Sequence, residues 1–483
     1  MFDLTPAITE IFLIGVALVV LMLGVFKGRE PEASQLVSPV VIAALVVGIV
    51  LLTLFSVGEA RTFGGQFVTD DFAVFLKILI LLGAVLCLIM SPEWFRNAGT
   101  ERFEYPVLAL FATVGMLMMI SANSLLALYL SLEMQSLPLY VMAAFHRDQT
   151  RSTEAGLKFF VLGSLASGLL LYGCSLVYGF TGTLSFDVLA QVLGLDQAGT
   201  APVNYGALIG LVFIAAGLAF KLAAVPFHMW TPDVYEGAPT PMTAFLAAAP
   251  KVAAIGLTLR VLYEPFGDWA SEWRQIAVFI SVASMLLGAF AAIGQTNFKR
   301  LLAYSSIGHM GYALVGLAAG TAEGAQSVLI YMAIYVIMTV GTFGCVLLMR
   351  RNGEALEDID ELAGLARTQP MLAAALAILM FSLAGIPPLA GFFAKLYVFL
   401  AAIHAGLVTL AVIGVLSSVI ASFYYIRIVK IMYFDEPKEA FDRPTGREFA
   451  WVVGGTAIFN LAFCLLPGPL VNQAEIAAAA LLS

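Results

Sequence analysis

Charged side chains are scarce in this chain: they make up 12% of 483 residues, against about 25% in soluble globular proteins. That shortage leaves too little polar surface to solvate a body of this size, so lipid must cover much of it. The formal charge of −8 gives no basic footprint for nucleic acid. Cysteine is nearly missing as well. Cys87, Cys174, Cys345 and Cys464 lie far apart in apolar runs, with no Cys-x-x-Cys and no Cys/His cluster. That excludes a disulfide framework and argues against an iron–sulfur or zinc site. There is no phosphate-binding glycine loop and no dinucleotide-binding glycine pattern. The longest polar stretches, 181–204, 350–369 and 434–447, are too short for a soluble domain, a nucleotide or a redox centre.

What is abundant is apolar sequence, 61% of the chain. A helix needs about 20 apolar residues to cross the hydrocarbon. Span-length runs occur at 7–26, 36–56, 72–91, 106–120, 125–145, 156–180 and 205–225. They continue at 241–262, 276–296, 301–320, 327–349, 370–402, 406–431 and 449–466. The expected fold is therefore an all-α membrane protein of about 14 transmembrane helices. The first run has no small-residue cleavage site after it and is expected to be a retained helix rather than a signal peptide.

Loop charge sets the orientation. With the N-terminus outside, loops after odd-numbered spans carry Lys27, Arg29, Arg96, Arg102, Arg147, Arg151, Lys299 and Arg300. They also carry Arg350, Arg351, Arg367, Arg427, Lys430, Lys438, Arg443 and Arg447. The opposite loops hold Arg61, with Arg260 and Arg274 at span ends, and run acidic through Glu59, Asp70, Asp71, Asp187, Asp196, Glu264, Asp268 and Glu272. An error of one helix would scramble this asymmetry. The positive-inside rule then places both termini on the outer, periplasmic side of a bacterial inner (plasma) membrane.

Five lysines, Lys77, Lys158, Lys221, Lys251 and Lys395, stand out inside spans, and Glu133 and His309 also lie in spans. Each charge near the bilayer centre costs roughly 2.5–3.5 kcal/mol on insertion scales. Such residues must pair or face water, and lysine suits a proton relay because burial and a nearby carboxylate pull its pKa in opposite directions. Lys77 lies near the outer end of its span and reads as snorkelling. Lys158 is near a cytoplasmic end, where snorkelling and function compete. Lys251 and Glu133 are mid-span and read as functional. His309 suits either a proton path or a hydrogen bond between helices. His228 and His404, at a break and a span end, are weak signals.

Lys221 and Lys395 belong to broken helices. Pro226 and Pro232 interrupt the run after Lys221, and Ala384-Gly385-Ile386-Pro387-Pro388-Leu389-Ala390-Gly391 interrupts the long run before Lys395. Non-helical backbone at membrane depth is tolerated only where it is buried in protein or lines a cavity. The breaks resemble each other: Phe220-x-Leu222-Ala223-x-Val225-Pro226 matches Phe381-x-Leu383-Ala384-x-Ile386-Pro387 at an offset of 161 (226 to 387). Paired broken helices point to internal repeats, spans four to eight and nine to thirteen, with a site at their interface. Lys221 aligns with Ser382, so the two half-sites differ chemically.

These residues carry a resemblance. Val225-Pro226-Phe227-His228-Met229-Trp230-Thr231-Pro232-Asp233-Val234-Tyr235-Glu236-Gly237-Ala238-Pro239-Thr240-Pro241 resembles the signature of the antiporter-like membrane subunits of respiratory complex I. Those subunits resemble cation/proton antiporter subunits. Ala303-Tyr304-Ser305-Ser306-Ile307-Gly308-His309-Met310-Gly311 and Ala384–Lys395 add to the likeness, and Tyr235-Glu236-Gly237 is similar to one paralogue, where the others tend to carry histidine and no glycine. The resemblance spans essentially the whole chain. It implies two inverted five-helix repeats, at 105–265 and 272–433, flanked by helices 1–3 (1–104) and helix 14 (434–483). It implies a non-redox translocase subunit driven by quinone reduction elsewhere in the complex. Glu133 and Lys158 would be a glutamate–lysine pair, Lys221, Lys251 and Lys395 relay lysines, and His309 the link between half-channels. No cofactor or metal is expected in this chain; FMN, iron–sulfur clusters and quinone would sit elsewhere. The implied partners are neighbouring antiporter-like and small hydrophobic subunits, with lipid.

The expected path runs from the cytoplasm to Lys221, tuned by Glu133 and Lys158, then through Lys251 and His309 to Lys395 and outward. A cation/proton antiporter-complex subunit would use the same buried charges, although the Tyr235-Glu236-Gly237 form argues against it. A structural scaffold with lysines as interhelical glue ranks last, since apolar packing avoids the burial cost.

Overall fold

The computed structural model describes residues 3–27, 32–55, 58–194, 204–443 and 446–482. Arg29, Ser56 and Asp196, used in the reading above, lie outside them. The described residues form nineteen α-helices. The N-terminal group is α1 (Ile8–Lys27), α2 (Glu32–Phe55) and α3 (Asp71–Asn97). Next come α4 (Glu104–Ile120), α5 (Leu125–Ala143), α6 (Thr150–Thr181), α7 (Phe186–Leu193), α8 (Tyr205–Leu222), α9 (Trp230–Gly237) and α10 (Thr240–Tyr263). Then follow α11 (Ala270–Ile293), α12 (Phe298–Ala318), α13 (Ala322–Leu347), α14 (Leu365–Thr368), α15 (Pro370–Ala384), α16 (Ala390–His404) and α17 (Val408–Phe434). The last are α18 (Glu448–Ala462) and α19 (Gly468–Leu481). Two small hairpins, Ala60–Thr62 with Phe67–Thr69 and Arg350–Arg351 with Glu354–Ala355, lie in loops at opposite faces.

Among the described residues, eleven helices are long and apolar enough to cross a membrane. Four shorter apolar helices, α4, α15, α16 and α18, accompany them. The run read as one long span, 370–402, is two half-helices. α7 and α19 were not expected. α19 buries only Ala474, Ala477, Ala478 and Leu481, so its small residues give no span-length signal.

Burial sorts the helices. The apolar window of α10 is 100% buried and those of α12 and α13 are 94% buried, so these three form the centre. The windows of α1, α2, α6 and α17 are only 33–39% buried, and their exposed leucines and valines face outward where lipid replaces water. Small residues let helices approach closely. A Cβ on Gly173 of α6 would lie 2.6 Å from the Gly210 carbonyl of α8, and one on Gly288 of α11 would lie 2.6 Å from the Gly308 nitrogen of α12.

One ionisable residue departs from expectation here. Lys77 does not snorkel. Its side chain is 0% exposed and ion-pairs with Glu10 of α1 at 2.6 Å, over the Phe67 ring. The partner lies on another helix, so Lys77 has no need to reach water.

Candidate functional site

Helix α8 ends at Leu222 because Ala223 turns left-handed (φ 59°) and Pro226 follows. The last carbonyls of an α-helix have no partner within it. Here each one finds a partner. Ala219 receives the Ala224 amide at 2.9 Å, and Phe220 the Trp230 indole at 3.1 Å. The Lys251 ammonium, from the middle of α10, donates to Leu222 at 3.0 Å and Lys221 at 3.4 Å. A cation at a helix C-terminus also meets the negative end of the dipole. The Lys221 side chain points the other way, donating to Ser136 Oγ of α5 at 2.8 Å and lying 3.3 Å from Tyr140 Oη.

The second break repeats this design with different parts. Gly385 (φ 85°) ends α15. A left-handed residue there suits glycine, and the Lys395 side chain crowds the same position. The Lys395 ammonium donates to Leu383 at 3.1 Å, Ala384 at 2.9 Å and Ser418 Oγ of α17 at 2.8 Å. Ser382, which aligns with Lys221, accepts the Gly391 amide at 2.9 Å and donates to Asn460 of α18 at 2.6 Å. Lys251 and Lys395 are therefore counterparts in role without being counterparts in alignment. Each closes the broken end of a helix, Lys251 from α10 and Lys395 from α16, the continuation of its own run.

Between the breaks lies a bridge of hydroxyls around His309. The Tyr335 hydroxyl donates to the Ala247 carbonyl, one turn before Lys251, at 3.1 Å and meets Ser306 Oγ at 2.9 Å. His309 is one turn from Ser306. Its Nδ1 lies 2.6 Å from Tyr331 Oη and its Nε2 3.2 Å from Tyr425 Oη, which contacts Ser305 at 2.5 Å. The His309 and Tyr312 rings are 6.0 Å apart, and Lys395 Nζ sits 4.9 Å over the Tyr312 ring. Lys251, His309 and Lys395 are 1%, 2% and 5% exposed, so this line of groups is enclosed.

Glu133 and Lys158 are not brought together. Lys158 is 42% exposed on its side chain and pairs with Glu154 and Asp233, both at 2.7 Å. Glu133 stays on α5, one turn before Ser136, with a buried Oε1 that closes no hydrogen bond. Lys158 belongs instead to a charged rim on the basic face. There Arg300 bridges Asp233 at 2.8 Å and Glu236 at 2.9 Å, and Arg151 reaches Glu236 at 3.3 Å. Asp233, Glu236, Arg300 and Arg151 are not among the site residues read from the sequence, although Asp233 and Glu236 stand inside the quoted motif and the two arginines entered the loop charges. The bridging tyrosines were also missed, because tyrosine inside an apolar span has no distinctive pattern. His404 is exposed and contacts Glu323 at 2.8 Å, a surface pair. His228 lies half-buried at the first break, its Nδ1 without a partner.

A second ionic cluster sits at the opposite, acidic face. Arg260, 1% exposed, holds Asp70 through two bonds of 2.9 and 3.0 Å, Glu264 at 2.5 Å and the Ile120 carbonyl at 2.8 Å. It ties α3, α4 and α10 together. Among the described residues, no group of three or more His, Cys, Asp and Glu is placed to hold a metal ion.

The chain is similar to known proteins along its length. Residues 122–421 match the family model described as NADH:quinone oxidoreductase/Mrp antiporter, transmembrane. NADH-quinone oxidoreductase subunit N of Parvibaculum lavamentivorans is 57% identical over 99% of this chain and 98% of its own. The Rhodospirillum rubrum subunit N is also 57% identical, over 99% and 97%. A chain of respiratory complex I from Thermus thermophilus superposes with a TM-score of 0.81 at 32% identity, over 96% of this chain and 98% of that one. A chain of the Mrp complex from Dietzia sp. shares the fold, with a TM-score of 0.85 at 24% identity over 100% and 98%.

Proposed function

The chain belongs to the NADH-quinone oxidoreductase subunit N family, and we propose that it moves protons along the Lys221–Lys251–His309–Lys395 line, driven by quinone reduction elsewhere in the complex. The observation that carries this reading is the series of ammonium, imidazole and hydroxyl groups between two broken helices, part-exposed at Lys221 and enclosed from Lys251 to Lys395. Burying so many ionisable groups is costly, and apolar packing alone would hold the helices. Glu133 would tune Lys221 from α5, and Lys158 would act in the rim that admits protons.

The finer architecture follows from the same reading. Counting α15 and α16 as one broken span gives 14 crossings with the other apolar helices. The basic face is then cytoplasmic, both termini face outward, and the membrane is the bacterial inner membrane. Residues 105–265 and 272–433 form the two inverted repeats, flanked by 1–104 and 434–483. The partners are other membrane subunits of complex I, and FMN, iron–sulfur clusters and quinone belong to those other subunits. The subunit itself performs no redox step.

The test is proton pumping by the assembled complex carrying Lys221→Met or Lys395→Met. Each variant is expected to assemble and to pump less. Normal pumping in both would refute the path.

A further inference from the structure

Asn460 of α18 is 0% exposed and lies beyond residues 122–421 of the family match. Its amide has a defined direction. Nδ2 donates to the Thr456 carbonyl at 2.8 Å, which leaves Oδ1 to accept from Ser382 Oγ at 2.6 Å. Ser382 Oγ in turn accepts the Gly391 amide at 2.9 Å. Gly391 stands in the first turn of α16, where amide groups have no partner within the helix. Two directed bonds thus tie the start of α16, through the end of α15, to α18. The contact is tight, since a Cβ on Gly391 would collide with the Ser382 carbonyl. Lys395, one turn after Gly391, closes the same break a second time by donating to Leu383 and Ala384. The two closures differ in kind. The lysine closure weakens when the ammonium gives up its proton, because a charge-assisted bond to a helix end becomes a neutral one. The amide–hydroxyl closure carries no charge and is unaffected. The first break has no such clamp, because Lys221 stands where Ser382 does.

We propose that Asn460 is a positioning residue for Lys395: through Ser382 it holds α15 and α16 in register while the lysine is neutral, so the amine keeps its place for the next proton. The inference rests on the proposed path through Lys395. The titratable groups facing Lys395 are Tyr312 of α12, whose ring lies 4.9 Å from Nζ, and His309 beside that ring. From α15 it meets carbonyls and from α17 the Ser418 hydroxyl. The charged residues of α13 and α18, Glu323 and Glu448, stand in the first turns of their helices. At low pH the ammonium closes the break by itself and the clamp is redundant. As pH rises the neutral amine persists for longer, and the clamp carries the break.

Asn460→Leu removes the acceptor at similar volume, and Met338 Sδ, 3.1 Å from Ser382 Oγ, remains to take the freed hydroxyl. The variant is therefore expected to assemble. The measurement is protons pumped per NADH oxidised by the reconstituted complex, variant against parent, across pH. Asn460→Leu is expected to match the parent at the acid end and to fall behind as pH rises, by roughly two- to tenfold, the worth of one neutral hydrogen bond. Ser382→Ala, which removes the middle of the clamp, is expected to give the same profile. A deficit equal at every pH would make Asn460 mere interhelical glue and overturn the proposal, and so would a parental profile in either variant. If Asn460→Leu does not assemble, the Ser382→Ala profile decides by the same criterion. Lys395→Met is measured in parallel. If it is impaired while the other two are parental, the clamp alone is refuted. If it pumps normally, the proposed path through Lys395 falls, and the clamp with it.

Discussion

The Lys251 ammonium donates to the Leu222 carbonyl at 3.0 Å and so closes the end of a half-helix on a neighbouring segment. Lys395 does the same for Ala384 at 2.9 Å. A group that carries a proton and also holds a helix end couples transfer to backbone geometry. When such a group gives up its proton, the attraction between ammonium and helix terminus weakens.

Lys251→Met should therefore cost stability as well as transport. Two buried carbonyls lose a donor, at about 1–3 kcal/mol per group left unsatisfied. Thermal unfolding of the assembled complex checks this. A variant as stable as the parent would show that the cap holds nothing.

Lys77 and Glu10 offer a contrast, being buried and paired with each other rather than with a helix end. Lys77→Met alone leaves an uncompensated carboxylate, and breaking such a pair costs roughly 3–5 kcal/mol. Replacing both residues with apolar ones of similar volume should restore most of that loss, and pumping should survive in the double variant. A double-mutant cycle on stability, with pumping measured alongside, decides the matter. A double variant that is stable but does not pump would move this pair into the proton path.

On the basic face, Glu361 receives Lys438 and Arg351, both at 2.8 Å. The bond to Lys438, with Arg351 in support, holds its carboxyl below the usual carboxylate range. The carboxylate is thus favoured by folding. Its contribution is complete above the ordinary glutamate pKa and is lost as pH falls through the lowered value. Proteolysis of the 434–443 segment should speed up on acidification over that window, and Glu361→Gln should be fast at every pH. Equal acid sensitivity in Glu361→Gln would rule out this bridge as the cause.

Much of this was legible in the sequence because membrane burial writes strong signals. Apolar runs located the helices, and the proline-rich interruptions at 226 and 387 located both breaks. The lysines at those breaks stood out as charges in hydrocarbon. What escaped depended on contacts distant in the chain. Glu10 is 67 residues from Lys77 (77 minus 10) and has no part in the sequence reading. The Glu133–Lys158 pairing came from resemblance, whereas side-chain reach sends Lys158 to Asp233. The shared role of Lys251 and Lys395 was invisible because alignment pairs neither with the other. Only the direction of each side chain toward a half-helix end reveals it.

The central claim is that the two breaks act in series on one path. The direct measurement is proton pumping by Lys221→Met, by Lys395→Met and by the double variant in the same reconstituted complex. Groups that act as one unit give non-additive losses, so the double variant should pump no less than the more impaired single. Losses that multiply in the double variant would mean two independent channels and would contradict the account.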